Sequence, residues 1–293
     1  MRLTGTYTAI VTPFKADLSV DESALRAHIQ RQLDAGIDGI VPCGTTGETP
    51  TLTMDEYKLV VSTTVEVVDG RVPVIAGTGS NNTVHTIEWT RTAKELGVDA
   101  ALVVTPYYNK PGPSMMEAHY RALAEEGGLP IVLYNVPGRT GSNMLPSTTA
   151  ALSTLDSVIA IKEACGSLSQ VQEILTQTNA DQFTVVSGDD ALALPMYALG
   201  SHGVISVASN VVPADMKAIH QRYSAGDVDG AAAINARLFP LFQALFCESN
   251  PVPCKVALSM QGHMTSAVRP PLGPMQESSV KRVRSVMTGL QLL

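Results

Sequence analysis

Short apolar runs recur along this chain. Each ends in a loop rich in Gly, Thr or Tyr, and each is followed by a segment with helical periodicity. Eight stand out: Thr8–Val11, Gly39–Pro42, Val72–Ala76, Ala101–Thr105, Ile131–Tyr134, Val158–Ile161, Phe183–Val186 and Val204–Val207. Near-continuous Val, Ile and Leu suit strands buried on both faces, as in a parallel sheet covered by helices. Their spacing of roughly 20–35 residues fits one strand plus one crossover helix.

Helix signals fall between the runs. Ser19 with Glu22, Thr53 with Glu56, Ser114 with Glu117 and Ser167 with Gln170 have capping-box spacing. Gly36, Gly70 and Gly97 suit helix C-termini, where a left-handed residue ends the hydrogen-bond ladder. Eight strands alternating with helices form either a closed barrel or a doubly wound open sheet. The count of eight, with no Gly-x-Gly-x-x-Gly after the first run, favours an α/β (β/α)8 TIM barrel. The strand pattern stops near residue 210. Helices are expected at Ala214–Ala225, Asp227–Phe246, Pro253–Met260 and Ser278–Leu290. The expected organisation is a catalytic barrel over 1–225 and a helical extension over 226–293 packed on it.

Composition supports this reading. Hydrophobic residues make up 45% of 293 residues, enough for a sizeable core, while aromatics are only 5%. The net charge is −7 and no run of Lys or Arg occurs, so a nucleic-acid partner is not expected. Lys281, Arg282 and Arg284 read as a solvated helix face. Cys43, Cys165, Cys247 and Cys254 form no Cys-x-x-Cys, and no Cys/His cluster has zinc spacing. Free thiols and no metal are expected. Met1–Phe14 lacks the pattern of a signal peptide, and no stretch of about 18 apolar residues exists. A cytoplasmic protein with no membrane partner is the expectation.

In such barrels chemistry sits at the C-terminal ends of the strands. There the sequence places Gly44–Glu48, Tyr107 and Tyr108, Tyr134 through Thr140, Lys162 with Glu163, Ser187 through Asp190, and Ile205 with Ser206. Lys162 follows the run Val158–Ile161 and by alternation shares a face with Ala160 and Val158. Facing inward it is a nucleophilic amine, because burial disfavours the ammonium. Otherwise it snorkels to solvent. Tyr134 is either a proton shuttle beside it or a core tyrosine. The Gly44–Gly47 loop is either a carboxylate cradle, aided by a helix dipole, or a plain turn. Arg139 is either a carboxylate clamp or an exposed loop arginine. Glu163 faces opposite to Lys162 by strand alternation. One of Asp189 and Asp190 caps the following helix.

Together, Gly44-Thr45-Thr46-Gly47-Glu48, Tyr134-Asn135-Val136-Pro137 with Arg139-Thr140, and Ile161-Lys162-Glu163 resemble the pyruvate-dependent class I aldolase family, which includes the N-acetylneuraminate lyases. The resemblance covers nearly the whole chain, and its order and spacing are specific. It implies that Lys162 forms a Schiff base with pyruvate, so that no cofactor is required. Thr45, Tyr134 and Tyr108 match the family's proton relay, Tyr108 reaching in from a neighbouring subunit of a homotetramer. Thr46 together with Thr45 matches the site for the pyruvate carboxylate, while Ile205 and Gly188 match positions beside the keto acid. Arg139 matches the residue that holds the second substrate. The presence of both Arg139 and Tyr108 points to the branch that condenses pyruvate with L-aspartate 4-semialdehyde, in lysine and diaminopimelate biosynthesis. The alternatives are a retro-aldol lyase for a 2-keto-3-deoxy sugar acid or N-acetylneuraminate, and a silent barrel that senses a keto acid.

Lysine-inhibited members resemble this chain at Asn81 and Tyr107. They carry an acid where it has His85, and histidines where it has Met54 and Tyr57. A carboxylate pairs with the ammonium of lysine, and His85 does not. Feedback inhibition by lysine is therefore expected to be weak or absent.

Overall fold

A computed structural model describes residues 1–293. Eight strands form one parallel sheet: β1 Gly5–Ala9, β2 Gly39–Val41, β3 Ile75–Gly77, β4 Ala100–Val104, β5 Ile131–Asn135, β6 Val158–Glu163, β7 Thr184–Ser187 and β8 Gly203–Ser206. Their order is β2-β1-β8-β7-β6-β5-β4-β3. The ends meet at a parallel bridge between Ile40 and Val74. At this seam the Ile40 N–H donates to Pro73 O (3.0 Å) and the Gly77 N–H to Pro42 O (2.9 Å). Only glycine fits at position 77, since a Cβ there would lie 1.9 Å from Cys43 O. The expected barrel is what the chain forms.

The strand boundaries shift by one or two residues from the pattern at most places, and by three at the starts of β1 and β3. β1 begins at Gly5 rather than Thr8, because pairing with β8 starts where Gly5 faces Gly203. A Cβ on Gly203 would meet Gly5 O at 2.2 Å, so these small residues serve strand contact rather than a loop. β3 is Ile75–Gly77, so Val72 and Pro73 lie before it.

Twelve helices surround the barrel and extend it: α1 Glu22–Asp34, α2 Met54–Val68, α3 Thr83–Glu95, α4 Pro113–Glu126, α5 Pro137–Thr140, α6 Pro146–Leu152, α7 Leu168–Gln177, α8 Asp190–Leu199, α9 Pro213–Ser224, α10 Val228–Ala244, α11 Val252–Met260 and α12 Glu277–Gly289. Of the four expected capping boxes, the one at Thr53 and Glu56 is complete. Ser167 caps α7 by accepting from Gln170 N, but the Gln170 side chain turns to Asn143, Met144 and Glu163 instead of back to the cap. Asp21, not Ser19, caps α1. α4 starts at Gly112–Pro113, ahead of Ser114, because proline at the first position needs no hydrogen bond there. Gly36, Gly70 and Gly97 all have positive φ at helix ends, as expected.

Two layers of side chains share the strands. Leu102, Val132, Ala160, Val186 and Ile205 belong to the cluster that fills the barrel. Ile40, Val103, Leu133, Ile161 and Val185 belong to the cluster between barrel and helices. β6 departs from alternation. Its register with β5 slips after the Ile131–Val158 pair, leaving Ile159 as an extra residue. Val158 therefore packs outward, and Ile159 joins the inner cluster with Ala160. Lys162 shares the inner face with Ala160 but not with Val158. α8 through α12 bury a third cluster of 24 residues, which joins the C-terminal helices to the end of β8.

Candidate active site

Beyond the bulge, β5 and β6 stay in register, and Tyr134 lies opposite Lys162. Both side chains are almost fully buried, at 6% and 5% exposure. Lys162 Nζ stands 4.3 Å from the centroid of the Tyr134 ring. A ring face attracts an ammonium electrostatically. The same face is also a dry wall for an amine.

Gly188 supplies the space. A Cβ there would sit 2.8 Å from Ala164 Cβ and 2.9 Å from Lys162 Cε. The glycine is thus required by the lysine stem, whatever it does for a ligand. Glu163 points the other way. Its carboxylate accepts from Asn135 Nδ2 (3.1 Å to each oxygen), Cys165 N (2.8 Å) and Gln170 Nε2 (3.2 Å). Burial raises its pKa against these hydrogen bonds.

The loop after β2 carries the threonines. Cys43 and Glu48 adopt left-handed φ of 54° and 55°, and between them the chain turns tightly, Gly47 N donating to Gly44 O (3.0 Å). Thr12 Oγ1 donates to Gly47 O (2.7 Å), and Thr49 Oγ1 to the Cys43 and Gly44 carbonyls. The N–H groups of Thr45 and Thr46 donate to no group of the chain. They are free for an anion. The helix dipole expected here is missing, because the loop runs into a single 3-10 turn, Thr49–Thr51, and α2 starts only at Met54.

These residues line one cleft with two lobes, which share Thr45, Tyr134, Val136 and Arg139. The lobe of about 430 Å³ contains Lys162, Thr46 and Gly188. Arg139, exposed in the short helix α5, overlooks both lobes and has no ion-pair partner in the chain.

A model of the dihydrodipicolinate synthetase family matches residues 2–290. The chain belongs to that family. It is 47% identical over 294 residues to the 4-hydroxy-tetrahydrodipicolinate synthase of Maridesulfovibrio salexigens, with both chains fully covered. The dihydrodipicolinate synthase of Acinetobacter baumannii, solved in complex with pyruvate, superposes with a TM-score of 0.97 at 39% identity, over 99% of each chain. A solved structure described as a monomeric dihydrodipicolinate synthase variant is 42% identical, covers 99% of this chain and 97% of its own, and has a TM-score of 0.97.

Other expected site residues fall into distinct places. Ile205 is fully buried in β8 and pairs with Tyr7, inside the barrel below the cleft. Tyr108 does not line the cleft. It is 87% exposed, with a left-handed φ of 69°. Tyr107 and His85 line the second lobe, of about 390 Å³, while Asn81 lies outside its wall. Asp189 caps α8 by accepting from Ala191 N (2.9 Å). Asp190 is buried, accepts from the N–H groups of Val207 (3.1 Å) and Ala208 (2.8 Å), and has its pKa raised by burial to about 6.

Sequence reading missed the contribution of the C-terminal helices. Phe242, Gln243 and Phe246 from α10 and its end, together with Asn250, form one wall of the Lys162 lobe. It also missed the buried pair of Glu48 and Lys255, at 3% and 0% exposure. Lys255 Nζ also donates to Ala267 O (2.9 Å) and lies 4.0 Å from the Phe14 ring centroid. Burial lowers its pKa to about 8 against the pull of Glu48.

Proposed function

We propose that this chain condenses pyruvate with L-aspartate 4-semialdehyde through a Schiff base on Lys162, giving 4-hydroxy-tetrahydrodipicolinate for lysine and diaminopimelate synthesis. One observation carries the reading. A buried lysine shares its lobe with a phenol, a threonine loop with free N–H groups and an unpaired arginine.

Each part has a chemical task. The Lys162 amine attacks the pyruvate ketone, and loss of water from the carbinolamine gives the imine. The protonated imine draws electrons, so a methyl proton leaves and an enamine forms. The enamine carbon attacks the aldehyde of the second substrate. The amine of that substrate then closes the ring at the imine carbon and expels Lys162. Tyr134 and Thr45 move protons during these steps. Thr45 and Thr46 hold the pyruvate carboxylate through hydroxyl and backbone N–H groups. Arg139 holds the carboxylate of the second substrate, with bidentate geometry available to its guanidinium. The imine is the electron sink, so this scheme draws on no cofactor.

Tyr108 enters the same scheme from a second copy. Its exposed side chain and its position just after Tyr107, on the rim of the cleft, support its insertion into a neighbouring site within a homotetramer. The barrel of residues 1–225 would supply the reacting groups, with 226–293 closing one wall. No helix is long and apolar enough to cross a membrane, and a cytoplasmic biosynthetic role accords with the reading.

The test is borohydride trapping with pyruvate, followed by turnover with L-aspartate 4-semialdehyde coupled to a nicotinamide-dependent reductase. A pyruvate adduct on Lys162, absent in Lys162→Ala, together with turnover is expected. Normal turnover in Lys162→Ala would overturn the mechanism. Trapping without turnover on this aldehyde would move the second substrate to another class.

A further inference from the structure

Asn250 reaches the cleft from the connection between α10 and α11. Its Nδ2 donates to Thr46 Oγ1 at 2.9 Å, in a contact spanning 204 residues. Asn250 is 5% exposed and Thr46 3%. Both line the lobe that holds Lys162.

A hydroxyl offers one proton and two lone pairs. Because Asn250 donates, it occupies a lone pair and leaves the proton free. No other group of the chain bonds to Thr46 Oγ1. The carbonyl oxygen of Asn250 is itself buried without a partner. An unpaired buried acceptor is unfavourable, so this side chain stands here for the donation made by its other end. Aspartate has the same shape and the opposite polarity. Ionised, it would accept the Thr46 O–H as a hydrogen bond, turning that donor away from the ligand, and place a negative charge beside the threonine loop.

We infer that Asn250 is a positioning residue: it fixes the Thr46 hydroxyl as a donor toward the carboxylate of the bound keto acid. This rests on the function proposed above, in which Lys162 carries pyruvate and the threonine loop holds its carboxylate. The C-terminal segment then acts on the reaction through one hydrogen bond, without touching the reacting atoms.

The experiment measures the pyruvate concentration that half-saturates borohydride trapping on Lys162, alongside kcat and thermal unfolding, in N250A and N250D. The half-saturating concentration should rise about tenfold in N250A, the scale of one hydrogen bond to a charged group. It should rise about a hundredfold in N250D, with kcat at saturating pyruvate changed less than about threefold. In a Thr46→Val background, N250A should add little, because the two residues act as a pair. Unchanged half-saturation would overturn the inference. So would N250D binding pyruvate as well as or better than N250A, or a loss confined to kcat and thermal stability. Additive effects in the Thr46→Val background would also overturn it. If the unaltered protein forms no adduct at all, the proposed function and this inference fall together. An adduct with equal half-saturation in every variant sinks the inference alone.

Discussion

Tyr134 and Lys162 face each other across neighbouring strands, the lysine nitrogen lying 4.3 Å from the centre of the phenol ring. Tyr134→Phe keeps that ring and removes only the hydroxyl. Folding should be unaffected, since Tyr134 Oη makes no hydrogen bond within the chain. If the phenol moves protons, turnover should fall by about 10²–10⁴-fold. Steady-state kinetics with thermal unfolding of the same sample checks both halves.

Gly188→Ala tests whether the glycine serves the lysine. Its new methyl would press on Lys162 Cε and Ala164 Cβ. The φ at this position is not left-handed, so the strain is purely one of packing. A shift of about 1 Å in a reacting group can reduce turnover about a hundredfold. Trapping of pyruvate and kcat should both drop, with a small change in melting temperature.

The Glu48–Lys255 pair is fully enclosed. Lys255→Met leaves the Glu48 carboxylate buried with the Arg269 backbone N–H (3.1 Å) as its one hydrogen-bond donor and the Arg269 guanidinium as a more distant charge. Stranding a buried charge in this way costs about 3–5 kcal/mol. Glu48→Gln with Lys255→Met removes both charges and should be less destabilised than Lys255→Met alone. Denaturant titration of the two variants decides the matter.

His28 gives a pH signature. Nε2 lies 3.0 Å from Asn210 Oδ1, and Nδ1 lies 3.1 Å from Arg31 Nη2, so the ring sits neutral between an acceptor and a cation. Burial, with Arg31 adding to it, lowers its pKa from 6.5 to about 3. The unfolded chain takes up this proton first as pH falls. Stability present above pH 6.5 is therefore lost progressively toward pH 3. His28→Gln should lack this part of the acid slope, and its melting temperature should approach that of the unaltered protein as pH falls. Parallel melting curves would refute the assignment.

The lobe containing Tyr107 and His85 has no Asp or Glu in its wall. An ammonium bound there finds no carboxylate. Millimolar lysine should leave turnover nearly unchanged. A rate halved under those conditions would contradict this.

Much of this molecule is local, and the local part was readable. Strand runs such as Ile131–Tyr134 carry their burial in consecutive side chains. The box at Thr53 and Glu56 spans a single helical turn. Ser19 and Ser114 failed as caps because a better acceptor at Asp21 and a proline at Pro113 start those helices at other positions. The bulge at Ile159 was invisible, since register depends on the neighbouring strand.

Non-local partners left a fainter trace. Lys255 stands in the apolar stretch Val252–Met260 as its only charge, which was a usable signal of a buried pair. Nothing near it named Glu48. Asn250-Pro251 falls within the family resemblance, but nothing in the sequence assigned Asn250 a role, because that role lies in which end of an amide meets Thr46.

The threonine loop depends on contacts that arrive last. Asn250 reaches Thr46 over 204 positions, Lys255 reaches Glu48 over 207, and the Arg269 N–H reaches Glu48 over 221. On the ribosome, at about 5–20 residues per second, roughly 10–40 s separate the appearance of Thr46 from that of Asn250. Only after Lys162 has been made, for the last part of that interval, does the nascent chain hold its lysine and phenol with an unbraced threonine loop. A nascent chain stalled before Asn250 would carry the nucleophile without its aligned hydroxyl, so tight hold on the keto acid is acquired only once the segment after α10 has been made.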